Sequence, residues 1–371
     1  MRNYQKLYYQ HYFVMIPDGT ETEVNANDSN WYNYSENDGS NNSKWANAKV
    51  NGSYFVWIPR FEYKITNGVT DASKAGTIDV RFISTNTKEG TQGYTTENGI
   101  TKSADGYTIH PAFTNSVDNG GWKSELAGIW VAKYEMSGET SGTASSPGNV
   151  LTSETVKAVS KPGVTSWRSI NIGNCYTNAM NYDRNKESHL MKNSEWGAVA
   201  YLTHSQYGRA REEVTINGSG SYYTGGASGA KATTNPLQSS TGNATGIFDL
   251  SGGAYEYVAA FNDTDTNGYE GKYGSSFAGT TNPSTEYATK YSSTSSTPSS
   301  TTYKPGDATY EVYVGSNRAW FNDYSYFVGS SDPFFRRGGY CNDGADAGVF
   351  CANNSNGDGG SYGSFRVVLA L

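Results

Sequence analysis

The apolar residues of this 371-residue chain come in short clusters separated by turn-forming residues, which restricts it to folds built from short strands and loops. The composition agrees, with 43 glycines, 30 tyrosines, 36% hydrophobic and 17% charged residues. A helical bundle or coiled coil would need more Ala, Leu, Glu and Lys. A disordered chain would hold far fewer aromatic residues than the 14% found here. The sequence therefore predicts an irregular α+β fold with few helices, short β-strands and long loops.

Three segments carry the strongest strand signals. Residues 52–65 (GSYFVWIPRFEYKI) are rich in β-branched and aromatic side chains, and Pro59 within them predicts either an edge position or a bend. A second signal covers 128–135 (GIWVAKYE). Residues 364–371 (SFRVVLAL) predict a buried closing strand.

Two segments predict amphipathic helices. Apolar residues follow a helical stripe from 172 to 180, at Ile172, Cys175, Tyr176, Ala179 and Met180. The second helix is expected from Ser194 to about Gln206, with Asn193 or Ser194 as its N-cap and Glu195 in the first turn. Its inward side chains are expected to be Trp196, Val199, Ala200 and Leu202.

Composition also suggests the organisation of the chain. Residues 1–45, with the low-complexity stretch 33–42, are expected to be a linker or attachment segment, and 46–371 a single domain. Two Gly/Ser/Thr-rich stretches without apolar periodicity, 217–246 and 264–309, are expected to be surface insertions.

Charge and cysteine content exclude several classes of protein. The formal net charge of −7 makes nucleic acid an unsuitable partner for the whole chain. No apolar run reaches the roughly 20 residues that cross a bilayer, and no signal-like apolar stretch is visible near residue 1. Cys175, Cys341 and Cys351 are too few for a disulfide framework, although the last two could pair with each other.

Most catalytic motifs are absent from the sequence, including HExxH, CxxC, the Walker loop and GxSxG. Four histidines (His11, His110, His189 and His204) are scattered, and the last two are expected to be surface or capping residues. Asp263, Asp265 and Asn267 partly resemble a calcium loop, but the twelfth position is Gly274 and not a bidentate Glu. An ordinary acidic turn is the alternative, so we expect no cofactor, with calcium as a weak candidate.

The most informative segment is 338–364 (GGYCNDGADAGVFCANNSNGDGGSYGS), which contains no Lys, Glu, Gln, Met or Trp. These five residues are the ones excluded when Asn codons ending in a pyrimidine are randomised at their two adenines. A low-complexity Gly/Asn loop is the alternative interpretation. The segment lies between residues 334–337 (FFRR) and the closing strand, so a rigid scaffold is expected to display it. Its Tyr, Asn, Ser and Gly are also typical of antibody-like binding loops.

With these features, the sequence resembles the variable proteins of diversity-generating retroelements of gut phages and prophages. The resemblance covers about 46–371 and depends on 45–48 (WANA), 55–60 (FVWIPR), 128–133 (GIWVAK), 189–202 (HLMKNSEWGAVAYL), 245–257 (TGIFDLSGGAYEY) and the C-terminal RGG, AGVF and SFRVV elements. It implies a C-type-lectin-like fold of the type found in formylglycine-generating enzymes and sulfatase-modifying factors. In that fold the variable residues would point outward from a fixed core.

The resemblance also implies which residues are variable and which are fixed. The implied ligand-binding surface comprises Tyr340, Cys341, Asn342, Asp343, Ala345, Asp346, Cys351, Ala352, Asn353, Asn354, Ser355, Asn356, Asp358, Ser361, Tyr362 and, with less support, Ser364. Residues 347–350 should be fixed, with Val349 and Phe350 in the core. Core positions are also expected for Trp57, Trp130, Trp196 and Phe365, and structural ion pairs for Arg336, Arg337 and Arg366.

The implied function is non-catalytic binding of a variable protein or glycan target on a bacterial cell surface, from a phage tail or from a cell surface, without membrane insertion. A homo-oligomer within a larger assembly would fit this role. A formylglycine-generating type of enzyme needs a reactive cysteine pair about five residues apart, whereas Cys341 and Cys351 are ten apart. A structural virion or surface protein with an inert loop is the other alternative.

Overall fold

The regular structure is mostly β-strand, as the β-branched and aromatic clusters predict. The computed structural model describes residues 12–16, 21–25, 27–36, 40, 42–91, 93–116, 120–278, 284–302 and 304–370. Parts of the expected linker and of the 264–309 stretch, together with His11 and Leu371, lie outside these residues. The described part has the predicted character of an irregular, sheet-rich α+β fold.

The strands in chain order are β1 (Tyr12–Met15), β2 (Thr22–Val24), β3 (Asn47–Val50), β4 (Ser53–Pro59), β5 (Phe61–Thr66), β6 (Thr77–Phe82), β7 (Thr95–Glu97), β8 (Ile100–Lys102), β9 (Thr108–Ile109), β10 (Gly128–Ala132), β11 (Ser137–Thr140), β12 (Thr143–Ser145), β13 (Val156–Val159), β14 (His189–Leu190), β15 (Tyr255–Asn262), β16 (Thr289–Tyr291), β17 (Tyr313–Gly315), β18 (Arg318–Ala319), β19 (Phe334–Gly338), β20 (Gly348–Ser355), β21 (Gly363–Phe365) and β22 (Val367–Leu369). The described α-helices are α1 (Ile172–Met180), α2 (Asn193–Thr203) and α3 (Tyr269–Tyr273). Short 3-10 turns lie at Pro111–Phe113, Arg184–Lys186, Thr224–Gly226, Pro236–Gln238, Tyr310–Val312, Trp320–Asn322 and Gly344–Asp346.

The largest sheet has seven antiparallel strands in the order β14-β22-β10-β4-β3-β1-β2. β4 is an interior strand, and its last residue, Pro59, pairs with Gly128 of β10. The chain then enters β5, which belongs to another sheet with the order β6-β5-β9-β8-β7. Pro59 therefore marks a bend between two sheets and not an edge.

The sheet that carries segment 338–364 is built from the C-terminal third of the chain. Its strand order is β16-β15-β19-β20, and β21 also pairs with β15. β16 and β21 run parallel to β15, whereas β19 runs antiparallel to both of its neighbours, β15 and β20. Smaller sheets are formed by β12-β11-β13 and by β17-β18.

Both predicted helices are present, with differences at their ends and faces. α1 begins at Ile172 as expected, because the Asn171 side chain accepts a hydrogen bond from the Asn174 amide (2.8 Å). α2 begins one residue earlier than predicted, after Lys192, whose amide donates to the Glu195 carboxylate (2.8 Å). α2 is buried on all sides, which its nearly uniform small and apolar sequence permits.

The N-terminal segment is not simply a linker. β1 and β2 extend the seven-stranded sheet beyond β3. Trp31 is buried, stacks on Trp130, and donates from its indole nitrogen to Val14 O (3.0 Å) and Asn47 O (2.9 Å). The sequence missed this because the aromatic anchor is isolated among Asn, Ser and Asp residues. These contacts join the described parts of 1–45 to the domain, and a role of the segment in attachment to a larger assembly stays a prediction.

The expected surface insertions also contain core. Residues 239–241 are buried, and the Lys133 ammonium donates to Ala244 O (2.7 Å) and Gly246 O (2.9 Å). In the 264–309 stretch, Tyr291 is buried and donates to the Asp307 carboxylate (2.8 Å). Gly, Ser and Thr carry no apolar periodicity, so their burial through backbone hydrogen bonds leaves no sequence signal.

The buried guanidinium of Arg366 joins the two main sheets. Arg366 lies between β21 and β22, where the chain passes from one sheet to the other. Its side chain is fully buried and makes two hydrogen bonds to the Glu256 carboxylate of β15, at 2.9 and 2.6 Å. It also donates to Ala132 O (2.7 Å) and Phe248 O (2.9 Å). The structural ion pair expected for Arg366 is therefore confirmed.

Replacing Arg366 by Gln should destabilise the protein strongly, because Glu256 would keep a buried charge without its cation. The free energy of unfolding is expected to fall by about 3–5 kcal/mol, as measured by urea denaturation. Lys74→Gln is the control, since it breaks an exposed pair with Asp71 (3.1 Å) and should change stability little. Equal losses in the two variants would contradict this interpretation of Arg366.

Candidate functional site

Segment 338–364 forms one edge region of the C-terminal sheet. Within it, β20 pairs with β19, and the loop before β20 contains the 3-10 turn Gly344–Asp346. Backbone hydrogen bonds attach the segment to the 252–255 turn, from Gly252 N to Gly338 O (3.0 Å) and from Cys341 N to Gly253 O (2.9 Å). A third joins Tyr255 N to Tyr362 O (2.9 Å). Regular structure on both sides therefore holds the segment.

Most of the predicted surface residues reach the solvent. The exposed ones are Asn342, Ala345, Ser361 and Tyr362, and the half-buried ones are Tyr340, Asp343, Asp346, Asn353, Asn354, Asn356 and Asp358. Tyr362 is 39% exposed, which places it among the few large hydrophobic side chains of the described chain with this much accessible surface.

Five predicted surface residues are buried instead: Cys341, Cys351, Ala352, Ser355 and Ser364. Ala352 pairs with Arg337 of β19, a fully buried residue, so it lies on the core side. The Ser355 hydroxyl is used internally, within 3.0 Å of the Tyr257 hydroxyl. The three described cysteines are free thiols, and burial raises the pKa of Cys341 and Cys351. Residue type alone does not show which side chains of these strands face the core and which face the solvent.

The positions expected to be fixed are buried. Val349 and Phe350 lie in the core, as do the residues predicted there, Trp57, Trp130, Trp196 and Phe365. Gly348 has no room for a side chain, because a Cβ would lie 2.0 Å from Asp323 Oδ1. The other Asp323 oxygen accepts from the Phe350 amide (2.8 Å). Residues 347–350 therefore cannot vary freely in this structure.

A cluster at the segment contains the exposed Tyr362, the half-buried Tyr340 and Arg336, and the buried Tyr255. The ring centroids of Tyr340 and Tyr362 are 5.4 Å apart, and Tyr255 lies 5.5 and 6.2 Å from them. The Arg336 guanidinium lies 4.4 Å from the Tyr255 centroid and 5.8 Å from that of Tyr362. We call Tyr255, Tyr340, Tyr362 and Arg336 the tyrosine–arginine patch.

Short polar side chains surround this patch. Asn353 donates to the Tyr255 hydroxyl (3.2 Å), and the Tyr340 amide donates to Asp343 (3.0 Å). Arg336 donates to Asn354 O (3.1 Å), so its expected structural ion pair is not found among the described residues. Burial raises the pKa of Asp343 from its ordinary value. The patch thus combines apolar ring faces with directional hydrogen-bonding groups.

Further aromatic side chains flank the patch outside 338–364. Arg168 stacks on Tyr222 (4.0 Å to the centroid) and donates to Ser361 O (2.7 Å). Tyr324 and Tyr326 stack side by side, with centroids 6.0 Å apart, and their backbone pairs with Ala352 of β20. For Tyr324 and Tyr326, the sequence gives one signal, their alternation along an extended segment. Arg168 and Tyr222 come from distant parts of the chain, and no sequence pattern marks them as neighbours of the patch.

Arg337 is buried beneath the sheet and has a structural role. It donates to Asn193 (3.2 Å) at the start of α2 and to Ala308 O (3.0 Å). His189 and His204 are also buried, so neither has the expected surface position, but His204 is the C-cap of α2, as the capping alternative expected. His189 lies 2.9 Å from the Glu195 carboxylate. These contacts join the sheets to α2. Because the three side chains are buried, they are not available to a ligand at the patch.

The partial calcium loop has protein partners for its carboxylates. Asp263 pairs with Lys290 (3.2 Å), and Asp265 accepts from the amides of Asn267 (2.9 Å) and Glu270 (2.8 Å). Across the described residues, no group of three or more His, Cys, Asp or Glu side chains is arranged to hold a metal ion. The acidic-turn alternative accounts for all of these contacts.

A groove of about 830 Å³ lies elsewhere, beside β13 and Tyr182. Lys161 and Glu139 line it and pair with each other (2.5 Å). Segment 338–364 contributes no residue to this groove. In the described part of the chain, every helix is too short or too polar to cross a membrane.

A buried carboxyl group supports the turn beneath the patch. Glu135 accepts from the Ala254 amide (2.7 Å) and hydrogen-bonds with the Ser166 hydroxyl, which also lies 3.0 Å from Tyr222 O. A hydroxyl has one hydrogen, so both contacts are satisfied when protonated Glu135 donates to Ser166 and Ser166 donates to Tyr222. Burial, together with nearby Asp249 and Glu256, raises the pKa of Glu135 well above 4.5. The raised pKa and this hydrogen-bond geometry both favour the protonated form of Glu135.

No protein-family model matches the chain, and no curated protein matches it either.

Replacing Glu135 by Gln should remove a pH dependence of stability. The raised pKa of Glu135 means that the native state holds a proton that the unfolded state releases above about pH 4.5, so wild-type stability falls as the pH rises. The slope for one proton is at most about 1.4 kcal/mol per pH unit. In urea denaturation between pH 5 and 8, Glu135→Gln should gain stability relative to wild type.

The exposed Glu154→Gln serves as the control and should give a curve parallel to wild type. If the Glu135→Gln curve also ran parallel to wild type, Glu135 would not be the proton-holding group.

Proposed function

We propose that this protein is a non-catalytic ligand-binding protein whose C-terminal surface is diversified by a retroelement and binds targets on bacterial cells. It would act from a phage tail or from a cell surface. The observation that carries the proposal is the coincidence of two properties in 338–364. The segment has the residue content of adenine randomisation, and it contributes two accessible tyrosines to the tyrosine–arginine patch.

The arrangement of the segment supports this function. Its accessible positions are interrupted by buried ones, such as 347–352, that continue into the core. The accessible side chains make few contacts with the core, so variation there is expected to cost less stability than variation at the buried positions. Tyr supplies contact area at low entropic cost, and Asn and Ser adapt their hydrogen bonds. We propose that diversification is useful at the accessible positions listed above and restricted at the five buried ones.

The proposal includes the finer fold assignment, a C-type-lectin-like domain. The sheet-rich α+β architecture agrees with this assignment. So does the way that several neighbouring strands hold segment 338–364, which we call the display segment. Free, buried thiols at Cys341 and Cys351 with raised pKa values are poor nucleophiles, which favours binding over cysteine-based catalysis.

Removing the two segment tyrosines should abolish target binding without unfolding the protein. We expect Tyr340→Ala combined with Tyr362→Ala to weaken adsorption to intact cells of a panel of gut bacterial strains at least about tenfold. The thermal midpoint should stay near that of wild type. Tyr310→Ala is the matched control, because Tyr310 is also 39% exposed and lies outside the patch. Unchanged adsorption of the double variant would favour a structural protein with an inert loop.

The DNA around the coding sequence provides an independent test. A reverse transcriptase gene and a near-copy of the 338–364 coding segment, differing from it mainly at adenines, are expected nearby. Sequencing of the locus shows whether the gene and the near-copy are present. A locus with neither would contradict diversification while leaving ligand binding to be judged from the adsorption experiment.

A further inference from the structure

Two arginines beside the display segment lack an acidic partner. Arg336 and Arg168 both lie outside 338–364, and each stacks on a tyrosine and donates to a backbone carbonyl. Among the residues that the structure describes, neither forms a salt bridge, whereas Arg318 nearby pairs with Asp346. A half-buried guanidinium held by a carbonyl and a ring face keeps its full positive charge available.

The two arginines flank the same side chain. Arg336 lies over the rings of Tyr255 and Tyr362, and Arg168 donates to the carbonyl of Ser361, the residue before Tyr362. Asp343 is a carboxyl group beside the patch, and one of its oxygens accepts a hydrogen bond from the Tyr340 amide. Asp358 also lies near the patch. The two guanidinium groups beside Tyr362 favour an anion there, although the whole chain carries −7.

The aromatic part of the patch favours a saccharide. The Tyr340 and Tyr362 rings are tilted by 31° and form a shallow, accessible surface on which the C–H face of a sugar ring can lie. Asn353, Asn354 and Asp343 around it supply the amide and carboxyl groups that hydrogen-bond to hydroxyls. A guanidinium beside such a platform can bind a carboxylate with two parallel hydrogen bonds.

We infer that the tyrosine–arginine patch binds glycans that carry carboxylated sugars, with Arg336 taking the carboxylate and Arg168 adding a second positive charge at Tyr362. This rests on the proposed function and narrows its ligand class. Because both arginines lie outside the diversified segment, the preference for acidic glycans would persist while 338–364 varies. Variation would then select among acidic glycans.

The test uses the full chain and a panel of four carboxylated polysaccharides: polygalacturonate, alginate, hyaluronate and polysialic acid. Each is paired with its carboxyl-reduced, neutral derivative. We expect binding to at least one acidic member, at least tenfold weaker binding to its reduced form, and weakening by added salt. Binding to none of the four, or equal binding to a reduced form, would overturn the inference.

Variants assign the effect to the arginines. Arg336→Ala and Arg168→Ala should each weaken binding to the acidic polysaccharide several-fold, and Arg336→Lys should recover part of the loss because it keeps the charge without the planar fork. Arg184→Ala, at an exposed arginine outside the patch, is the control and should bind as wild type. The thermal midpoint of each variant shows whether it is folded. If Arg336→Ala does not fold, the inference is tested by the binding of Arg168→Ala and by the binding of the wild type to the carboxyl-reduced polysaccharides.

The outcomes separate this inference from the proposed function. If Tyr340→Ala with Tyr362→Ala abolishes cell adsorption while the arginine variants and carboxyl reduction have no effect, the surface binds ligands but not acidic glycans. If the tyrosine variant adsorbs normally to cells, the proposed function itself fails.

Discussion

The two main sheets are joined by one buried positive charge, and much of the molecule depends on it. Arg366 bonds to Glu256 of β15 and to the carbonyls of Ala132 and Phe248, so it connects both sheets and the loop before β15. Burying a guanidinium is unfavourable unless nearly every N–H has an acceptor. These acceptors come from segments more than 100 residues apart in the chain. The register of β21 and β22 is thereby fixed on both sides of the residue.

This arrangement explains how a surface can vary above a constant interior. The carboxyl group of Glu135 holds the 252–254 turn from below, and the turn binds Cys341 from the other side. Gly348 is packed against Asp323. The backbone of the display segment is therefore positioned by residues that lie outside it, so its accessible side chains contribute little to holding it in place. The tyrosine–arginine patch combines both kinds of residue.

Local sequence patterns predicted much of the fold, whereas the features that depend on contacts between distant parts of the chain were not predicted. The stripe from Ile172 gave the limits of α1, and the clusters around Trp57 and Trp130 gave interior strands, because periodicity and β-propensity are local properties. The sequence did not predict that Trp31 anchors the N-terminal segment or that residues 239–246 are buried. Both depend on partners far along the chain. In the site, the restricted alphabet located the segment but could not separate Tyr340 from Cys351, and it missed Tyr255 and Arg168.

The position of β22 in the seven-stranded sheet also affects how the chain completes its folding. β22 lies between β14 and β10, yet it is synthesised after both of them and after the whole display segment. A change of reading frame anywhere in 338–364 would replace β22 and leave two interior edges unpaired. A chain with such a frameshift could not close the seven-stranded sheet, however well its first 337 residues had folded.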